Sequence, residues 1–329
     1  MHADWAVCHI IIIIGGIMAC LHPLRVYQSR RKKKDTGSFY YTFDPKKGHT
    51  DLYLDIPCNK CEGCMLARSY QWSMRCVCEA QSYTESYFLT LTYDNENLPD
   101  GSELNRTHIT QFVKRLRWHF RHYKLKVFYC GEYGTHRHRP HYHMIVFGLP
   151  LQKENVRLFL HSYSRKKNPN YVSPKISDIW GKGLVTIGSF TDQSASYVAQ
   201  YCLKKQTREY YEFIKTKRVK PFIGASNRNA LGFDFFQKSW FEIFTRGWFR
   251  LLEKSLRPLR YFVYLLKKHH PLEWFKFIEL PRRIKMTKER LEYYRDRALH
   301  YENERNKALS RYYRERKILR SLQERRDLL

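Results

Sequence analysis

His138-Arg-Pro-His-Tyr-His-Met-Ile-Val-Phe-Gly148 is the stretch from which the rest of the chain can be ordered. Pro140 can open a strand, and Tyr142, Ile145, Val146 and Phe147 all favour one. Side chains alternate along a strand, so His141 and His143 share a face. Two imidazoles side by side on a rigid strand form a half-site for a divalent cation. The plainer alternative is a pair of solvated surface histidines.

The neighbouring segments bear on that choice. Lys126 to Glu132 reads as a strand joined to the histidine strand through Gly134–Arg139, which places Glu132 where a hairpin neighbour supplies a carboxylate. Glu132 is therefore the expected third ligand, with Gln200 as runner-up. His136 and His138, in the connection, read as solvated or nucleic-acid-facing. Upstream, Tyr87-Phe-Leu-Thr-Leu-Thr-Tyr93 alternates like a half-buried strand. Downstream, Ser196-Tyr-Val-Ala-Gln-Tyr-Cys-Leu-Lys-Lys205 follows an N-cap at Thr191 or Asp192. As a helix it sets Tyr197 and Tyr201 four apart on one face, with Lys204 and Lys205 a turn further on.

In this order the motifs resemble those of the HUH endonucleases that start rolling-circle replication. The Phe88–Tyr93 segment is similar to their first motif, Pro140–His143 to their metal motif, and Tyr197–Lys205 to a two-tyrosine nucleophile motif. Further stretches resemble the gokushovirus branch of the Microviridae. These are Met18-Ala-Cys-Leu-His-Pro-Leu24, Pro57-Cys-Asn-Lys-Cys-Glu-Gly-Cys64, the Arg68, Trp72, Arg75, Glu79 spacing, Pro221-Phe222, and Ser226-Asn-Arg228. The resemblance runs from residue 18 to residue 235.

It implies an α+β fold, a central antiparallel sheet covered by helices in a palm-like, ferredoxin-like arrangement. It also implies Mg2+ or Mn2+ on His141, His143 and Glu132, and a tyrosine nucleophile acting on single-stranded DNA at a replication origin. Tyr201 carries the Y-x-x-K spacing through Lys204 and is expected to act first, with Tyr197 performing the second transfer. Host helicase and polymerase are the implied partners, and the cytoplasm of an infected bacterium the implied location. A mobilisation or transposition relative, and a non-catalytic single-strand binder with a structural metal, are the competing readings.

Composition supports a polyanionic partner. Lys and Arg number 60 against 31 acidic residues, a formal charge of +29, far more than a solvated surface needs. The 25 tyrosines and 20 phenylalanines interleave with those cations in the manner suited to single-stranded nucleic acid. The apolar run Ile10–Ile17, extended to Cys20, is too short to span a bilayer, and no basic residue precedes it as in a secretory signal. Residues 1–17 read as a non-native upstream extension, with Met18 as the functional start.

Cys58, Cys61 and Cys64 stand at C-x2-C-x2-C spacing, which can hold part of a zinc site, with Cys20 or His22 as further ligand. Reduced thiols packed at a helix start are the alternative. Helices are expected over Met65–Gln81, Thr107–Tyr123 and Asn155–Tyr163. Strands are expected over Phe39–Phe43, Asp51–Ile56 and Gly183–Phe190, and a solvated loop over Arg30–Lys34. No Walker, GxSxG or HExxH motif is present, which argues against NTPase, serine hydrolase and zincin chemistry. Residues 236–329 read as an aromatic and basic helical region ending in a long helix from Lys288.

Overall fold

The computed structural model describes residues 20–32, 39–134, 138–164, 167–200, 219–251 and 253–300. Residues 1–17 with Met18, His136, Tyr201, Lys204, Lys205 and the tail after His300 lie outside the described residues. The chain divides into two compact units, Met1–Ser239 and Trp240–Leu329.

The first unit opens with a small antiparallel sheet of β1 (Leu24–Lys32), β2 (Phe39–Thr42) and β3 (Gly48–Ile56), in the order β2-β1-β3. The basic run expected to be a solvated loop therefore starts inside a strand. Its backbone is claimed on both sides, with Val26 opposite Leu54 and Gln28 opposite Tyr41. Pairing to both neighbours outweighs the preference of the arginines for solvent. Helix α1 (Glu62–Ala80) follows.

The main sheet is built from β4 (Ser86–Thr92), β5 (Lys126–Tyr133), β6 (Pro140–Phe147), β7 (Phe159–Tyr163), β8 (Pro169–Val172), β9 (Val185–Ser189) and β10 (Phe222–Ala225). The order is β10-β5-β6-β4-β9-β8-β7, and every pair is antiparallel. With its helices this makes the fold α+β, as expected.

Between these strands lie α2 (Arg106–His119), α3 (Pro174–Trp180) and α4 (Asp192–Gln200). One sheet face carries Leu89, Leu91, Val127, Tyr142, Met144 and Val146, packed under Ile109, Phe112 and Leu116 of α2 and Trp180 of α3. Each fully buried aliphatic or aromatic side chain contributes about 1.5–3 kcal/mol, so this layer fixes the strand register. Asn105 caps α2 by accepting from the Thr107 and His108 amides.

The opposite face is covered by α1 and α4. Trp72 stacks on Phe128 at 5.1 Å, and the Ser73 and Ser196 hydroxyls of α1 and α4 meet at 3.0 Å. The residues spaced along α1 serve packing and pairing. Arg75 lies over the Trp72 ring and donates to the Leu231 carbonyl, and Glu79 is fully buried.

The helix expected over Asn155–Tyr163 is not there. Residues 151–155 turn, and Phe159–Tyr163 pairs with β8 as the edge strand β7. All five β7 side chains are exposed, so no helical apolar stripe had a core to bury against, and ladder bonds to β8 win.

Helix α5 (Phe233–Arg246) spans the boundary between the units. Within the second unit, the expected helical stretch is interrupted by a hairpin of β11 (Phe249–Leu251) and β12 (Lys254–Leu256). Helix α6 (Arg260–His269) buries Phe262, Val263, Leu265 and Leu266. From Pro271 the chain is helical again, passing through a π-turn at Phe275–Glu279 into α7 (Leu280–His300). The long helix thus begins ahead of Lys288. No described helix is long and apolar enough to cross a membrane.

Candidate metal centres and the flanking tyrosine

Strands β5 and β6 run antiparallel with Glu132 directly opposite His141 and Cys130 opposite His143. Period-two alternation then turns Glu132 and both imidazoles onto the face shared with α1 and α4. The three side chains converge on one point. Glu132 Oε1 lies 2.9 Å from His141 Nε2 and 3.0 Å from His143 Nε2. Glu132 and His143 are buried and His141 partly so. Gln200, the alternative ligand, is exposed at the end of α4.

The far nitrogens explain the orientation. His141 Nδ1 lies 3.1 Å from the Arg139 carbonyl oxygen, which can only accept, so Nδ1 carries the proton. A neutral His141 then turns a lone pair at Nε2 toward a carboxylate oxygen that is itself an acceptor. That opposition is relieved by a proton or by a cation placed between the groups. His143 Nδ1 pairs with Thr90 Oγ1 at 3.0 Å, and its ring stacks on Phe88 at 5.5 Å. Outer partners of this kind fix the tautomer and aim of a metal-binding imidazole. Both come from the Phe88–Tyr93 segment, and neither role could be assigned without the β4–β6 register.

The loops beside the triad are tied down. Arg139 donates to Asn95 Oδ1 and to the Tyr93 carbonyl. Gly183, at φ +129°, lies so close to Asp94 that a Cβ there would sit 2.4 Å from the Asp94 amide nitrogen, a position only glycine tolerates. Tyr93 and Tyr142 share a buried hydrogen bond of 2.8 Å, and burial raises both phenols above their ordinary range. Neither is placed as a nucleophile.

Tyr197 is. Thr191 and Ser194 exchange backbone-to-hydroxyl bonds at the start of α4, so Thr191 caps the helix that carries Tyr197. The tyrosine is 43% exposed, with its ring 5.1 Å from that of His143. Tyr201 and Lys204 lie outside the described residues.

A second cluster forms where β3 leads into α1. The sulfurs of Cys20, Cys58, Cys61 and Cys64 all lie within 4.8 Å of one another. Cys20 and Cys61 are 3.7 Å apart, and Cys58 and Cys64 4.0 Å. The fourth member is Cys20 rather than His22. Four backbone amides point at these sulfurs: Leu21 to Cys61, Cys58 to Cys20, and both Lys60 and Cys61 to Cys58.

Fold and sites together define an α+β protein with a carboxylate and two histidines converging on the middle of an antiparallel sheet. Residues 86–206 match a family model described as replication-associated protein ORF2, a span that contains the histidine strand, Thr90 and both tyrosines.

Among curated proteins the chain is similar to three replication-associated proteins of phages. It is 37% identical over 202 residues to ORF2 of Spiroplasma virus 4, covering 57% of this chain and 61% of that protein. It is 38% identical to ORF4 of Chlamydia phage 1, covering 51% and 43%. With VP4 of Bdellovibrio phage phiMH2K it shares 28% identity over 79% of this chain and 81% of that one. The chain thus spans about three fifths or less of the first two relatives. No solved structure matches. The motif order pointed to replication proteins of microvirus-like phages, and these are the proteins to which the chain is similar.

Proposed function

We propose that this protein is a metal-dependent single-stranded DNA endonuclease and strand transferase that initiates rolling-circle replication of a phage genome in its bacterial host. The observation that carries the reading is the convergence of Glu132 Oε1 on two imidazole nitrogens beside a helix presenting Tyr197. The donor set of one carboxylate and two imidazoles fits a divalent ion, Mn2+ better than Mg2+ because Mg2+ prefers oxygen alone. Bound there, such an ion supplies Lewis-acid polarisation of a scissile phosphate.

The chain's own groups do the rest. A tyrosine oxygen attacks phosphorus in line, the new O–P bond replaces the bond to the 3′ oxygen, and the phenolic proton ends on that leaving oxygen. The products are a 5′-phosphotyrosine and a free 3′-hydroxyl, which a host polymerase extends. The phosphodiester energy is conserved, so the strand is rejoined without ATP. Tyr201 with Lys204 is assigned the first attack and Tyr197 the second.

The four thiols suit structural Zn2+. A tetrahedron of sulfurs at about 2.3 Å from zinc has edges of about 3.8 Å, close to the 3.7 and 4.0 Å separations present. The surrounding amides stabilise thiolates.

To test the activity, the protein is incubated with Mn2+ and a pool of single-stranded oligonucleotides, and denaturing gels are read for a covalent adduct. Sequencing the trapped strands gives the cut site. An adduct formed by the wild type and absent from Glu132→Gln is expected. No adduct in either would overturn the reading.

A further inference from the structure

Ser226-Asn-Arg228 has no part in the metal centre, yet it closes a pocket on the other side of the sheet. Along β5, Val127 and Tyr129 alternate with Phe128, Cys130 and Glu132, so they face away from the triad. There, between α2 and the end of the edge strand β10, lies a pocket of about 470 Å3. This is within the range of ligand sites, about 300–1,000 Å3.

The pocket has three chemical parts. Its apolar wall is Val113, Val127 and the ring of Tyr129. That ring lies directly on Gly224, where a Cβ would sit 2.2 Å from Tyr129 Cζ, so the glycine lets the aromatic lie flat against β10. Its cationic part is Arg117 and Arg228, both exposed. Arg117 is aimed by Ser226, whose Oγ accepts from Arg117 Nη2 at 3.0 Å while also accepting from the Val127 amide.

No carboxylate lines the pocket. Lys124 and Lys126 are paired with Asp234, whereas neither arginine meets a carboxylate among the described residues. The third part is an open rim of Asn227 and Asn229, both exposed.

We propose that this pocket holds one nucleotide of a DNA single strand, with its base on Tyr129 and its phosphate between Arg117 and Arg228. A planar guanidinium fixed by a buried hydroxyl is the group best suited to a phosphate oxygen pair. An aromatic wall next to it matches the stacking surface of any base. The open rim lets the strand continue in both directions, which favours a polymer over a free nucleotide. The site rests on the reading of the protein as a single-strand enzyme and adds a second anchor to it, on the face opposite the chemistry. Such an anchor retains the strand while its cut end is being handled.

The test is binding in EDTA, so that no cleavage intervenes. Fluorescence anisotropy compares wild type with Arg117→Ala/Arg228→Ala on a long strand and on one too short to reach beyond the metal centre. The long strand should bind about tenfold more weakly to the variant, and its salt slope should fall by about 0.7 for each phosphate no longer neutralised. The short strand should bind equally. In the wild type, 5-iododeoxyuridine within the long strand should photo-crosslink to Tyr129, a readout that needs no variant to fold.

Unchanged long-strand affinity and slope, or crosslinks that avoid Tyr129, overturn the proposal. Deoxynucleotide monophosphate binding tighter than the strand identifies a free nucleotide instead and also overturns it. Because no step requires catalysis, a missing covalent adduct sinks the proposed activity without touching this result.

Discussion

Tyr197 sets its ring edge-on to the His143 imidazole, centroids 5.1 Å apart and planes at 81°. The nearest tyrosine of α4 is therefore one ring away from the proposed ligands, and a phosphate held there is within a modest helix shift of its hydroxyl. Tyr197→Phe keeps the ring and removes only the oxygen. The variant should still form the first covalent adduct, through Tyr201, but fail to rejoin and circularise the strand. A denaturing gel of adduct against circular product reads this directly. Loss of the first adduct in Tyr197→Phe, with Tyr201→Phe still forming it, reverses the assignment.

The ligand set makes a separable prediction. Residues that merely orient metal ligands cost about 10–100-fold when replaced, so His141→Ala, His143→Ala and Glu132→Gln should each lower cleavage by more than about a hundredfold. Single-strand affinity should hardly change, because phosphate contacts are spread over many cations. Thr90→Val, which removes the partner of His143 Nδ1, should fall within the orienting range and be partly rescued by excess Mn2+. Parallel loss of binding and cleavage would instead indicate misfolding.

For the thiol cluster, elemental analysis of freshly purified reduced protein should find about one equivalent of zinc, retained after EDTA strips the nuclease ion. Cys20→Ser should lose it even though Cys20 is 38 residues from Cys58 in sequence. Retention of zinc in that variant would show that another group, such as His22, completes the site.

The histidine strand can be read from sequence because period two and a proline fix it locally, and Glu132 because a short connection forces the hairpin register. Thr90 is a different case. Its hydroxyl matters only because β4 pairs with β6 so that Thr90 stands opposite His143, a long-range register no local pattern specifies. The same holds for β7: Phe159 and Leu160 look like the start of an apolar helix face, and only the presence of β8 makes them an exposed edge strand. Strand β1 hides in an arginine-rich run because its pairing with β2 and β3 is set by segments further along the chain. Of the Arg68–Glu79 spacing, the packing side of the reading is what the fold uses.

That spacing leads to a stability prediction at Glu79. Its Oε1 pairs with Lys126 Nζ at 2.8 Å, and both side chains are almost wholly buried. Its Oε2 accepts the Gly232 amide at 2.7 Å, so one carboxylate ties α1, β5 and the start of α5 together. Removing one partner leaves the other charged and dry, which typically costs about 3–5 kcal/mol. Lys126→Met should therefore lower stability by that amount in denaturant melts, and pairing it with Glu79→Gln should recover much of the loss, since the neutral amide still accepts from Gly232.

Asp234 adds an acid dependence. Burial opposes its ionisation, but Lys124 and Lys126 outweigh that and hold its carboxyl below the ordinary range. A depressed folded pKa contributes stability that is present above the unfolded value of about 3.9 and is lost as pH falls through the folded value. Lys126→Met should flatten that acid limb as well as lowering the plateau. A double variant no more stable than Lys126→Met alone would mean that the cost lies in packing around the lysine stem and not in the stranded charge.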